Sequence, residues 1–212
     1  MSNLKNINLL NTPVYYINLD SDTEKSEKLQ VMLGELGFKN VNRFSGIKEE
    51  TKKVGVAKSH NALLKDLSGV IAPFIIFEDD IVNYNFKIDL DVPIDADAFY
   101  LGNSCFGLKG GVGQKRIVLK HYEQEIFRVY NMLAAHAILY TNNDYVKFLA
   151  KATEFNISIL DNQDKARAET MKYWNIYANR LPMFYQNGLH TKFTKIDLSK
   201  VVSVGPEDAY LK

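Results

Sequence analysis

Three carboxylates in a row, Glu78-Asp79-Asp80, follow directly on the apolar run Phe74-Ile75-Ile76-Phe77. Adjacent acids repel one another and gain nothing from burial, so a hard cation bound through oxygen is one reason for them to converge. Mg²⁺ or Mn²⁺ suits such a site when phosphate oxygens complete the coordination sphere, and the metal then offsets charge on a diphosphate leaving group. Asp80 can reach the metal while Glu78 or Asp79 contacts a ribose or a structural partner. A strand that simply ends in solvent at an acidic turn has the same residue order and needs no ligand.

Other residues have types suited to the same chemistry. Asn18-Leu19-Asp20 closes an apolar segment, and its backbone and side chains can contact a base or ribose; ordinary turn formation by Asn18, Asp20 and Ser21 is the alternative. Lys58 and Ser59 are expected to point away from the core and to approach phosphate near a helix start. His60 lies on the apolar face of that helix, which predicts a packed, hydrogen-bonded core histidine rather than a serine–histidine relay. Asp161 follows Ile157-Ser158-Ile159-Leu160 and can orient or deprotonate a hydroxyl, or cap the next helix. His136 sits near an acceptor or fills a small space, and His190 can reach back to a metal. Gly107, Gly110, Gly111 and Gly113 do not form a phosphate loop, because Gly113-Gln114-Lys115 lacks the Gly-Lys-Ser/Thr ending. They read as a loop able to close over a substrate.

The elements that must position these residues follow from periodicity. Val14 to Leu19 reads as a first strand closed by Asp20. Ser21 and Glu24 form a capping box opening a helix whose Leu29, Met32, Leu33 and Leu36 share a face, with Gly37 as its stop. Val41 to Phe44 is a second strand, and a strand–helix–strand opening implies parallel pairing. A helix over Ala57 to about Leu67 precedes the strand Phe74 to Phe77, whose unbroken apolar character predicts burial on both faces. A strand so placed delivers its terminal acids to the carboxyl edge of an open α/β sheet, where such sheets bind ligands. Asn83 to Asp97 reads as irregular, Asp97 to Gly102 as a short strand and turn, and Phe127 to Tyr140 as one or two strands. Thr141 and Asp144 repeat the capping-box pattern. A helix is expected from about Lys165 to Ala178 and a late strand or extended edge at Pro182 to Tyr185. The tail from Thr191 shows no clear core pattern. One domain over residues 1–212 is expected, or the amino-terminal domain of a longer polypeptide.

Composition narrows the classes. The 212 residues suffice for one α/β domain with a real core. Lys and Arg total 26 against 25 acids, a balance that argues against a nucleic-acid partner. Cys105 is the only cysteine, which leaves no internal disulfide and suits a reducing compartment. The first residues are too polar for a signal peptide, and no run reaches the length of a membrane span.

Four segments in order resemble the family 25 glycosyltransferases, the group that includes lipooligosaccharide and collagen galactosyltransferases. They are Tyr15-Tyr16-Ile17-Asn18-Leu19-Asp20, Arg43-Phe44-Ser45-Gly46-Ile47, Gly55-Val56-Ala57-Lys58-Ser59-His60 and Phe74-Ile75-Ile76-Phe77-Glu78-Asp79-Asp80. Weaker echoes at Tyr100-Leu101-Gly102, His136-Ala137, Ile159-Leu160-Asp161 and Pro182-Met183-Phe184-Tyr185-Gln186 extend the likeness over roughly residues 13–190. It implies a GT-A-like nucleotide-diphospho-sugar transferase fold, a single mixed, mostly parallel sheet flanked by helices. It implies Mn²⁺ (or Mg²⁺) on Asp80, with Glu78 in the ribose or metal shell, and a UDP-sugar donor near Asn18 and Asp20. It also implies Asp161 as general base and direct, inverting attack by a hydroxyl of a glycan acceptor. Two departures stand out: Ser21-Asp22-Thr23-Glu24-Lys25 lacks the arginines that usually open the family's first helix, and Val56 stands where the family often has Cys. The short chain without a leader suits a compact bacterial or large-DNA-virus enzyme of the cytoplasm (the host's, if viral). A noncatalytic carbohydrate-binding or scaffold protein of the same fold and a metal-dependent phosphohydrolase are the alternatives.

Overall fold

The computed structural model describes residues 3–104, 106–108, 117–160, 163–187 and 201–203. In chain order they form β1 (Leu4–Asn8), β2 (Val14–Asn18), α1 (Thr23–Glu35), β3 (Val41–Ser45), α2 (Lys52–Leu67), β4 (Phe74–Glu78), β5 (Ile81–Asn83), β6 (Asp89–Pro93), β7 (Ala98–Tyr100), β8 (Ile117–Glu123), β9 (Ile126–Asn131), β10 (Ala137–Tyr140), α3 (Asn143–Leu160), α4 (Gln163–Thr170), β11 (Ile176–Asn179), β12 (Phe184–Gln186) and β13 (Val201–Ser203). Among these residues one mixed sheet runs β13-β8-β9-β11-β7-β10-β4-β2-β3, and two ribbons, β1-β6 and β5-β12, stand apart from it. The chain is a mixed α/β protein with helices against its main sheet.

The apolar run of β4 explains the layering. Phe74, Ile75, Ile76 and Phe77 are all fully buried. Successive strand side chains point to opposite faces. Phe74 and Ile76 pack with Leu63, Leu64 and Leu67 of α2 and Val146 and Leu149 of α3. Ile75 and Phe77 pack with Leu29 and Leu33 of α1 and with Phe38 and Phe184. Parallel strands β3, β2 and β4 therefore lie in the sheet with a core on each face, and the antiparallel β10 closes their other side. Parallel pairing brings the carboxyl ends of β2, β3 and β4 to one edge: Asn18 is level with Ser45, and Ile17 with Glu78.

Several expectations are corrected here. Asp22, not Ser21, precedes α1, and its side chain makes no cap bond. Helix α2 begins at Lys52, five residues before the apolar pattern does, because its first turn packs through backbone and Gly55 rather than through apolar side chains. At α3, Asn142 rather than Thr141 supplies the early bond, its Oδ1 accepting from the Asp144 amide at 2.8 Å. The helix expected over 165–178 splits: α4 ends at Thr170, and Ile176–Asn179 is strand β11, parallel to β7 and antiparallel to β9. Tyr177 is thus a strand residue, and what looked like helical spacing spans a break. The stretch 83–97 contains β6, held to β1 by Asn6–Asp91 and Asn8–Asp89 side-chain bonds as well as its ladder. Its polar outward face hid it from a hydrophobic pattern.

Gly55 marks the tightest approach between α2 and the loop after β3. A Cβ there would lie 2.7 Å from the Ile47 carbonyl oxygen, so helix or loop backbone would have to move. At Gly34 in α1, a Cβ would meet nothing within 4 Å. Gly55→Ala is expected to cost about 1–3 kcal/mol by overpacking, while Gly34→Ala gains about 0.5–1 kcal/mol from reduced backbone freedom. Urea unfolding of both variants checks the pair, and equal effects would contradict the close approach.

Candidate functional site

A cavity of about 460 Å³ opens at the carboxyl edge of β2 and β4, between the loop after β3 and the first turns of α2. Its size is that of a small-molecule site. Ile17, Leu19, Ile47 and Val56 give it an apolar side, while Asp79, Asp80, Lys25, Lys52 and Lys53 give it a charged one. Glu78, His60, Asp164 and Gln186 also line it.

Asn18 holds Asp79. Its Nδ2 donates to Asp79 Oδ2 at 2.8 Å and to the Asp22 carbonyl at 3.0 Å. Its Oδ1 accepts from Arg43 Nε at 2.9 Å, which fixes which end of the amide faces the acid. Arg43 also donates to the Asn18 carbonyl oxygen and to Asp20 Oδ1, at 3.1 and 2.6 Å. Asp20 is exposed, takes a further bond from Ser45, and is held below the usual carboxylate range chiefly by its bond from Arg43. Lys25 lies 3.9 Å from Asp79 and 2.9 Å from Asp22.

Glu78 and Asp80 are joined by Gln186. Its Nε2 donates to Glu78 Oε2 at 3.0 Å and lies 3.2 and 3.1 Å from the two Asp80 oxygens. The ribbon β5-β12 makes this possible. Phe184 is buried under Phe77, ring centroids 4.9 Å apart, and Gln186 pairs with Ile81 across the ribbon. The Asn187 amide then bonds the Asp80 carbonyl at 2.8 Å. The other Glu78 oxygen faces His60 Nε2 at 2.9 Å. Burial, reinforced by Asp79, pushes the Glu78 carboxyl up to about 7 against the pull of Arg167. Burial and the negative charge of Glu78 push Asp80 up to about 6, against the Gln186 bond. Asp164 also rises to about 6, through burial and Glu78, with Arg167 and His60 opposing.

The sequence-derived candidates fall into distinct places. Asn18, Leu19, Glu78, Asp79 and Asp80 come together on the cavity. Asp20 belongs to the rim pair with Arg43 and does not line it. Ser59 lines the cavity but does not point away from the core: it is buried, donates to the Gly55 carbonyl and accepts from the Ile47 amide, both at 2.7 Å. Helical periodicity misassigned it because α2 is also covered by the 46–50 loop. Lys58 pairs with Glu49 at 2.5 Å and is not part of the lining. His60 is a buried, hydrogen-bonded core histidine as expected. His136 is buried with its ring where a Gly102 side chain would be, filling a small space. Asp161, His190 and the glycines 110, 111 and 113 lie outside the described residues. Lys25, Lys52, Asp164 and Gln186 were not singled out as site residues. Lys25 lies in the charged opening of the first expected helix, Lys52 lies before the helix expected from Ala57, and Gln186 reaches the acids only through a pairing more than a hundred residues long.

Among the described residues no three His, Cys, Asp or Glu side chains are grouped as metal ligands. Asp79 and Asp80 do offer two cavity-facing carboxylates, the number with which Mg²⁺-like ions are often held when substrate phosphates supply the rest. Both Glu78 oxygens are already engaged, so a direct bond from Glu78 to a cation would displace His60 or Gln186. No helix among the described residues is long and apolar enough to cross a membrane.

No protein-family model matches the chain, and no curated protein does. Two solved structures are similar in fold. A nucleoside-diphosphate-sugar pyrophosphorylase from Vibrio cholerae RC9 aligns at 16% identity over 81% of this chain and 73% of that one, with a TM-score of 0.48. A glycosyltransferase involved in the glycosylation of the major capsid of PBCV-1 aligns at 8% identity over 79% of this chain and 92% of that one, with a TM-score of 0.40. Likeness at this level carries no functional argument, which rests instead on the cavity and the sequence segments that build it.

The Asn18–Asp79 bond is directly testable. Asn18→Asp sets a carboxylate against Asp79 and is expected to lose about 1–3 kcal/mol of stability, the scale of a buried polar group deprived of its partner. Adding Asp79→Asn restores a donor between the two positions. A double-mutant cycle by urea unfolding should therefore show strong favourable coupling between the substitutions, and simple additivity would refute the pairing.

Proposed function

We propose that the chain is a GT-A-type glycosyltransferase that moves a sugar from a UDP-sugar to a hydroxyl of a glycan acceptor with inversion. The observation that carries this reading is the divided cavity at the carboxyl edge of parallel strands, apolar on one side and lined by Asp79, Asp80, Lys25 and Lys52 on the other. A nucleotide sugar has the matching division. Its base suits Leu19, Ile47 and Val56, and its diphosphate suits the lysines together with a cation. Mn²⁺ or Mg²⁺ would be held by Asp80 and Asp79 and, when bound, would offset the negative charge on the departing diphosphate.

In this reading the acceptor oxygen forms a bond to the anomeric carbon as the bond from that carbon to the diphosphate breaks. A carboxylate takes the hydroxyl proton and UDP departs. Asp161 is the base implied by the sequence resemblance. Asp164, three residues later in the sequence, lines the cavity, and its raised pKa of about 6 suits proton abstraction near neutrality. A second reading, a noncatalytic carbohydrate-binding protein of the same fold, is favoured by the internal engagement of Glu78 and Asp80 with Gln186.

A panel of sugar nucleotides with Mn²⁺, read as UDP release with and without glycan acceptors, decides between them. Transfer that falls at least about a hundredfold in Asp80→Ala, several kcal/mol of lost charge stabilisation, supports the enzyme. Retention of wild-type transfer and metal affinity by Asp80→Ala would refute the site. Binding of UDP or glycan without consumption of any donor supports the second reading. For the base, Asp164→Asn is expected to lower kcat by about 10²–10⁴ with UDP affinity unchanged. The same loss in Asp161→Asn, with Asp164→Asn active, would return the role to Asp161.

A further inference from the structure

Arg167 is the largest fully buried side chain of the protein among the described residues, at 0% exposure. Taking a guanidinium out of water is costly unless its surroundings answer it. It donates through Nη1 to the Tyr140 hydroxyl. Its Nη2 lies 3.2 Å from His60 Nδ1. Arg has N–H donors and no acceptor, so His60 Nδ1 must present its lone pair. The ring proton then sits on Nε2, which faces Glu78 Oε1 at 2.9 Å. A proton on Nδ1 would set N–H against N–H on one side and a lone pair against a carboxylate oxygen on the other. Glu78 accepts from Gln186 through its second oxygen, and Gln186 reaches Asp80 with the same amide nitrogen.

We infer that Arg167 and His60 are positioning residues: Arg167 fixes the Nε2–H tautomer of His60, and through Glu78 and Gln186 this sets how Asp80 is presented to the cavity. The functional half rests on the proposed UDP-sugar reading; the tautomer half does not. Each link is a directional bond; Arg167 and His60 are buried, Glu78 and Gln186 half-buried, and the four come from α4, α2, β4 and β12. The alternative is that Arg167 only balances the charge of nearby acids. That alternative sets no tautomer and makes no distinction between substitutes for His60 that are equally neutral.

Two measurements on the full chain separate these cases. In the unliganded wild-type protein, ¹⁵N–¹H spectra of the histidine rings should show His60 as the Nε2–H tautomer, and the Gln186 side-chain amide should be shifted from its free position. His60 as the Nδ1–H tautomer or as imidazolium would overturn the inference, whatever the protein binds. His60→Gln keeps an N–H donor near the Nε2 position, whereas His60→Asn keeps a polar group only near Nδ1. The Kd for UDP in the presence of Mn²⁺ should stay near wild type in His60→Gln and rise about 10–100-fold in His60→Asn, the usual scale for a residue that orients a ligand-holding group. The Gln186 amide shift should be lost in His60→Asn alone. Equal behaviour of the two variants in both readouts would overturn the chain from His60 to Asp80. Wild-type protein that shows the expected tautomer and amide shift but binds no UDP would leave the chain standing and remove the UDP-sugar reading.

Discussion

A carboxylate at the end of a strand that is covered on both faces cannot be left alone, and the rest of the site depends on how this one is answered. Glu78 ends β4, whose four preceding side chains are buried between two helix layers. Its own charge is therefore opposed by desolvation, the largest influence on it. Two donors meet it, one on each oxygen: His60 from α2 and Gln186 from β12. Each donor is rigid because its element is anchored by apolar packing close by. Leu63 and Leu64 hold α2 to the sheet, and Phe184 holds β12 under Phe77. Site geometry here is a consequence of core packing, transmitted through one half-buried acid.

How much of this was legible in the sequence divides along range. The acids, Asn18 and the parallel arrangement that puts them on one edge could be read, because an apolar run of fixed length ending in charge is a local pattern. His60 as a satisfied core histidine was equally local. Gln186 stands in the sequence only as the last residue of the weak echo Pro182-Met183-Phe184-Tyr185-Gln186, just past the expected strand; its role follows from a ribbon that pairs residues 81–83 with 184–186. Arg167 was hidden because arginine in a polar eight-residue helix ordinarily faces water. Ser59 was misread for a related reason: helical phase distinguishes one face from another but does not reveal a loop that covers the second face. The start of α2 at Lys52 is hard to read because its first turn, Lys52-Lys53-Val54-Gly55, has a single large apolar residue and a glycine, although Thr51 is a residue type that commonly precedes helices.

The charged side of the cavity is divided by element. Acids come from the turn after β4, and cations come from α1 (Lys25) and the start of α2 (Lys52 and Lys53). Lys25 is already partnered by Asp22 and lies near Asp79, so it bridges the two groups rather than neutralising the acids directly. The lysine positions also bear on the arginines that the resemblance to family 25 leads one to expect in the first helix. Lys25 and the α2 lysines put positive charge on the same cavity from other points, as compact charges with flexible stems instead of planar forks. A ligand phosphate would be met by attraction more than by fixed bidentate geometry.

The choice of an amide at position 186 has a specific electrostatic consequence. A lysine there would also donate to Glu78 and Asp80, but its charge would cancel one of theirs and remove the field that a cation responds to. A carboxylate would add a further like charge to groups already pushed up by burial and by neighbouring acids. An amide satisfies oxygens of both acids and changes the net charge of the cluster not at all. Because all its partners through this nitrogen are carboxylates, the amide has one workable orientation, and β12 must keep that orientation for the acids to stay aligned. Order at the cavity is thus obtained without cancelling the negative charge of Asp79 and Asp80, the two properties that binding of a cation and a diphosphate would require together.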